Sequence, residues 1–149
     1  MAHVSLLEDL AAEAERDGVQ QYVVGAVVQH EGKVLLLQRP QDDFMAGIFE
    51  LPSGKVEAGE GLDMALVREV EEETGLDVTE ILDHLGSFDY LSGSGRKSRQ
   101  FNFAVEVSAI EPVKLQEHDT YTWVSFTEEP PVTDAVKEVL GKYRELRGI

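Results

Sequence analysis

Apolar positions along the chain follow two periods, and the switch between them predicts the elements. Ser5 to Arg16 repeats Leu6, Leu7, Leu10, Ala11 and Ala14 at helical spacing, which predicts a helix. Ser5 reads as its cap, with Glu8 completing a capping box, and Gly18 as its stop. Gln21 to Gln29 and Val34 to Arg39 are valine- and leucine-rich strands around a turn at His30 to Lys33, so they predict a buried hairpin. Ile48 to Leu51 is a short strand. Val78 to Tyr90 and Gln100 to Val107 predict a long hairpin, the second strand alternating Phe101, Phe103, Val105 and Val107 with polar residues. The segment 91–98 is the Gly/Ser turn between them. Tyr121 to Phe126 is a last strand, and Thr133 caps a final helix to about Arg147 with Val136, Val139, Leu140 and Tyr143 inward.

The central stretch, Gly54 to Leu76, departs from this plain pattern. Leu62, Ala65, Leu66 and Val70 mark a helix, with Glu60 and Asp63 in its first turn and Gly75 as its stop. At roughly 100° per residue, Glu69, Glu72 and Glu73 continue the stripe that is apolar one turn earlier. Glu71 lies near 200° from Glu69 and reads as ordinary solvated surface. Carboxylates at i, i+3 and i+4 repel one another, and the end of a helix is the wrong pole for them. An acidic chain has acidic helices, but the inward placement favours a site for a hard divalent cation, of which Mg²⁺ is the usual example. The loop before the helix, Leu51 to Glu60, carries glycines that let backbone approach closely.

Composition narrows the function classes. The chain has 149 residues, 42% of them apolar, which suits one globular domain. With helices and strands interleaved, the expected fold class is α/β, a helix–sheet–helix sandwich around a mixed sheet. No cysteine is present, so disulfides and thiolate metal sites are excluded. No secretory signal and no run near the roughly 20 apolar residues of a membrane span are read, and a cytoplasmic setting is expected. The formal charge of −16 argues against nucleic-acid polymers and anionic membranes as partners. A small anionic substrate then needs a cation and placed arginines. Arg39, Arg96, Lys97 and Arg99 are the candidates for anion contact, and Glu117, next to His118 and Asp119, is a candidate fourth carboxylate from another loop.

Gly54, Glu60 and the run Arg68-Glu69-Val70-Glu71-Glu72-Glu73-Thr74-Gly75-Leu76 match the Nudix box of the Nudix hydrolases at every defined position. The chain therefore resembles that family. The resemblance implies a Nudix-type α/β/α sandwich over residues 19–149, with residues 1–18 as an extra N-terminal helix. It implies hydrolysis of a nucleoside diphosphate linked to another moiety, using Mg²⁺ or Mn²⁺. Glu69, Glu72, Glu73 and the carbonyl of Gly54 would hold metal, one glutamate would order or deprotonate the attacking water, and Arg68 would orient the glutamates. Glu60 would support the loop. Glu117, six residues before Trp123, sits where some triphosphate-hydrolysing members place a further metal ligand. Apart from the resemblance, Arg39 and Arg99 of the basic set are the expected direct phosphate contacts. Ser53 stands where the family commonly has glycine.

A nucleoside triphosphate, oxidised forms included, is the first substrate expectation. ADP-ribose or a nucleotide sugar is the alternative. The isoprenoid-isomerase branch uses a cysteine that this chain lacks. A non-catalytic nucleotide-binding Nudix module is the reading from another class, against which the intact glutamates argue. Base recognition in the family comes from variable loops, and Phe44, Phe88, Tyr90, Asn102 and Trp123 are candidates. Many relatives dimerise, which makes the N-terminal helix a candidate homodimer contact.

Overall fold

A computed structural model describes residues 4–39, 47–116, 118, 120–125, 128 and 131–148. Phe44 and Glu117, singled out above, lie outside these residues, as does Phe126 at the end of the last expected strand. In chain order the elements are α1 (Val4–Arg16), β1 (Gln21–His30), β2 (Lys33–Gln38), β3 (Phe49–Glu50), β4 (Ser53–Lys55), α2 (Leu62–Thr74), β5 (Val78–Leu91), β6 (Lys97–Val107), β7 (Thr120–Ser125) and α3 (Asp134–Arg147).

The sheet is mixed and seven-stranded, in the order β3-β2-β1-β6-β5, with β4 joined to β1 and β7 to β2. Its pivot is β1. One edge of β1 runs parallel to β6, from Gln21 opposite Ser98 to Val28 opposite Val105. The other edge pairs with β4, Val24 opposite Gly54 and Gly25 opposite Ser53. The expected hairpin with β2 survives only beside the turn, at Gln29–Val34 and His30–Lys33. The rest of β1 already has a ladder on both sides, and β2 instead pairs along its length with β7. The β5–β6 hairpin forms as expected, with register shifts along β5.

Two cores separate the layers. Val24, Ala26, Leu35, Phe101, Phe103 and Val105 face α1 and α2, meeting Leu62, Ala65, Leu66 and Val70. Val27, Leu36, Leu51 and Ala104 face Val136, Val139, Leu140 and Tyr143 of α3. The period-2 alternation of β6 thus supplies both sides of an α/β/α sandwich. Thr133 caps α3 by accepting the Val136 N–H at 3.3 Å.

Two local expectations shift. Ser5 lies inside α1, whose first residue is Val4, so it is not the residue outside the helix that a capping box requires. Glu60 is not in the first turn of α2, which opens at Leu62 with Gly61 as N-cap. Glu60 is released to the preceding loop, where it accepts the Glu57 N–H at 3.0 Å.

Candidate functional site

The end of α2 and the edge strand β4 build the site together. Gly75, in the left-handed conformation, ends α2 and donates its N–H to the Glu71 carbonyl, so the helix stops just beyond its glutamates. Glu69 and Glu73 turn inward, with side chains 14% and 12% exposed. Glu72 differs from the inward expectation. At the margin of the stripe, its side chain is 56% exposed, and it edges the opening rather than the core. Glu71 is exposed, as expected.

Gly54 lies directly beneath Glu69. A Cβ on residue 54 would stand 2.0 Å from the carboxylate carbon and from Oε2. Only a residue without a side chain permits this approach. Strand β4 passes beside α2 because its residues are hydrogen-bonded to β1.

Arg68 gathers the loop and the helix. Its Nε and Nη2 donate to the two oxygens of Glu60 at 2.7 and 2.8 Å. Nη1 donates to Glu69 Oε1 at 2.8 Å and Glu72 Oε2 at 3.2 Å, and Nη2 also reaches the Lys55 carbonyl at 3.0 Å. These bonds hold Glu60 down to about 2, against an ordinary 4.5, and raise the proton affinity of Arg68 itself. Glu69 moves the other way, because burial outweighs its bond to Arg68.

Glu73 belongs to a second group. Its Oε1 accepts the Ser53 N–H at 2.7 Å, and its Oε2 lies 3.5 Å from His118 Nδ1. Burial pushes Glu73 up to about 7, partly offset by the Ser53 N–H and by His118. The other ring nitrogen of His118 is 2.6 Å from Glu50 Oε1, and Arg39 Nε donates to Glu50 Oε2 at 3.1 Å. A chain of contacts, Arg39–Glu50–His118–Glu73, thus leads into the site. Glu50 was not among the expected residues. Its one signal was a carboxylate inside the short apolar stretch Ile48 to Leu51.

Glu69, Glu72, Glu73, Ser53, Gly54 and Gln116 border an open cleft of about 790 Å³. The donor set is all oxygen, which is the chemistry a hard divalent cation takes. Among the described residues no three acidic or histidine side chains already converge on one point. Arg68 holds Glu69 and Glu72, while the Ser53 N–H holds Glu73 with His118 beside it. The carboxylates therefore fit a cation as donors around a glycine cradle, and Arg68 balances part of their charge. Arg99, also expected at the substrate, gives Nε and Nη2 to Asp89 at 2.6 and 2.9 Å. Its Nη2 is also 3.0 Å from Asp17, so it ties α1 to the β5–β6 hairpin.

The chain is similar to known proteins in sequence and in fold. A match to the NUDIX domain family covers residues 19–143. The CTP pyrophosphohydrolase of Escherichia coli (strain K12) is 47% identical over 57 residues, which are 38% of this chain and 42% of that protein. The chain thus spans less than half of that relative's length. A protein named putative 8-oxo-dGTP diphosphatase 2, from Mycobacterium tuberculosis, is 34% identical over 112 residues, 74% of this chain and 77% of the relative. The solution structure of the E. coli ORF135 protein superposes with a TM-score of 0.72 at 32% identity, covering 89% of this chain and 94% of that one. A box complete from Gly54 to Leu76, a sandwich that sets it against β4, and a family match over most of the sequence place this chain in the Nudix family.

Proposed function

We propose that the chain hydrolyses the pyrophosphate linkage of a nucleoside triphosphate, oxidised forms included, with Mg²⁺ or Mn²⁺ held by Glu69, Glu72, Glu73 and the Gly54 carbonyl. The observation that carries this is the Glu69 carboxylate seated over Gly54 with Glu72 and Glu73 at the same cleft. Glu117 is the further carboxylate of this proposal. When bound, such a cation neutralises phosphate oxygens and acidifies water.

The protein's own groups supply position. Arg68 fixes Glu69 and Glu72 through one guanidinium, and the Ser53 N–H fixes Glu73 from the strand side. One of these glutamates takes a proton from the attacking water. Arg39, at the outer end of the chain through Glu50 and His118, contacts phosphate. The names of the relatives, for CTP and 8-oxo-dGTP, support a triphosphate as the substrate class.

The test is a panel of ordinary and oxidised nucleoside triphosphates, ADP-ribose and nucleotide sugars, incubated with purified protein and Mg²⁺. Release of phosphate or pyrophosphate is the readout. Triphosphates are expected to be cleaved by the wild type and not by Glu72→Gln. A panel left intact overturns the activity, and cleavage unaffected by Glu72→Gln overturns the site.

A further inference from the structure

The face of the sheet that carries α3 is polar where β6 passes Gly25. Ser98, Gln100 and Asn102 are buried there, alternating with Phe101 and Phe103 on the other face. Asn102 Nδ2 donates to two main-chain carbonyls, Gly86 at 3.2 Å and Gln100 at 3.3 Å. Carbonyls only accept, so they fix which end of the Asn102 amide is nitrogen. Its Oδ1 then faces Gln100 and accepts from Gln100 Nε2 at 2.8 Å. That bond in turn fixes the Gln100 amide, so the orientation follows from the network rather than from a choice between two similar atoms.

Asn102 is fully engaged by these bonds, but Gln100 is not. Its Oε1 receives no hydrogen bond from the described residues and is not sealed from solvent, and the second N–H of Nε2 is also unused. At that small opening the amide keeps a donor and an acceptor available to water or to a ligand. Gly25 makes room for this arrangement. A Cβ there would stand 2.4 Å from Gln100 Nε2 and 2.5 Å from Asn102 Oδ1, and glycine otherwise weakens the middle of a strand.

The placement is close to the chemistry. Gly25 pairs with Asn102 on one side and with Ser53 on the other, and the Ser53 N–H holds Glu73. The amide lies over β1, one strand spacing of about 4.8 Å from β4, on the face of the sheet opposite the one that carries Glu69. Phe88 lies opposite Gln100 in the β5–β6 register. The half-exposed Tyr90 ring stands 6.1 Å from that of Phe88, adding flat apolar surface beside the amide.

We infer that Gln100, oriented by Asn102 and accommodated by Gly25, reads the edge of the substrate's base. The edge it complements carries an N–H donor next to an oxygen or nitrogen acceptor, with Phe88 and Tyr90 against the ring. The inference rests on the proposed nucleotide chemistry, but its test needs no turnover.

Calorimetry with nucleoside monophosphates of the common bases and of 8-oxoguanine measures binding to the wild type, Gln100→Met and Gly25→Ala. The wild type binds one base more tightly than the rest by roughly 10- to 100-fold, the range of a two-point base contact. Gln100→Met, close in shape but without the amide, brings that ratio near one. Gly25→Ala does the same by displacing the amide. Thermal melts confirm that each variant is folded. Equal or absent binding across bases in the wild type overturns the inference, and so does a preference that survives in folded Gln100→Met. Failure of the hydrolysis panel with base-selective binding intact would instead overturn the proposed activity alone.

Discussion

Gly54 and Glu69 are in such close approach that a methyl on residue 54 would stand 2.0 Å from Glu69 Oε2. The strand and the helix meet at this point, so the spacing between them sets where the carboxylate points.

Gly54→Ala tests that spacing. The obstructed group is the far end of a flexible glutamate, so the fold yields cheaply and stability changes by about 0.5 kcal/mol or less. The carboxylate itself must move. A displacement on that scale lowers kcat/KM by about 100-fold, to be measured on the best substrate of the panel beside a thermal melt.

Arg68→Lys separates charge from geometry. Lysine keeps the positive charge but cannot fork between Glu60, Glu69 and Glu72. Activity is expected to fall by about 10- to 100-fold, the usual effect of losing a group that orients metal ligands. The apparent Mg²⁺ requirement rises with it. Wild-type kinetics in Arg68→Lys would show that the guanidinium fork is not needed.

Glu73 gives a pH signature in the chelated, metal-free protein. Burial raises it from 4.5 to about 7, so between those values the folded state binds a proton that the unfolded state has released. Stability from this group is complete below about 4.5 and declines as the pH rises through 7. Glu73→Gln cannot ionise yet still accepts from Ser53. It should therefore be more stable than wild type at pH 8, by on the order of 2–3 kcal/mol, and little different at pH 4.5. Denaturant melts at the two pH values measure the gap.

Arg99→Gln distinguishes a tie from a substrate contact. Losing the bonds to Asp89 and Asp17 is expected to cost about 1–3 kcal/mol of stability. With α1 still folded against the sheet, KM should stay at its wild-type value. A raised KM with unchanged stability would instead return Arg99 to the phosphate.

Much of the molecule is legible in the sequence because it is set by local periodicity. The stripe from Leu62 to Val70 defines α2 and its buried face, and the alternation of Phe101, Phe103 and Val105 defines β6. The inward turn of Glu69 and Glu73 follows from the same wheel. Glu72 does not follow so simply, since a position at the margin of a stripe is decided by what packs beside it.

Other features exist only through pairings between distant residues. The register of β1 with β4 brings Gly54 beneath Glu69 and Ser53 to Glu73. Its register with β6 lays Gln100 and Asn102 across Gly25. Glu50 and His118 are 68 residues apart in the chain, yet they meet at 2.6 Å. The sequence alone determined the box, the layers and the residue types of the site, because neighbours a few positions apart carry that information. The tertiary structure decided which oxygen meets which hydrogen, because strand register and helix docking are set by the whole buried core.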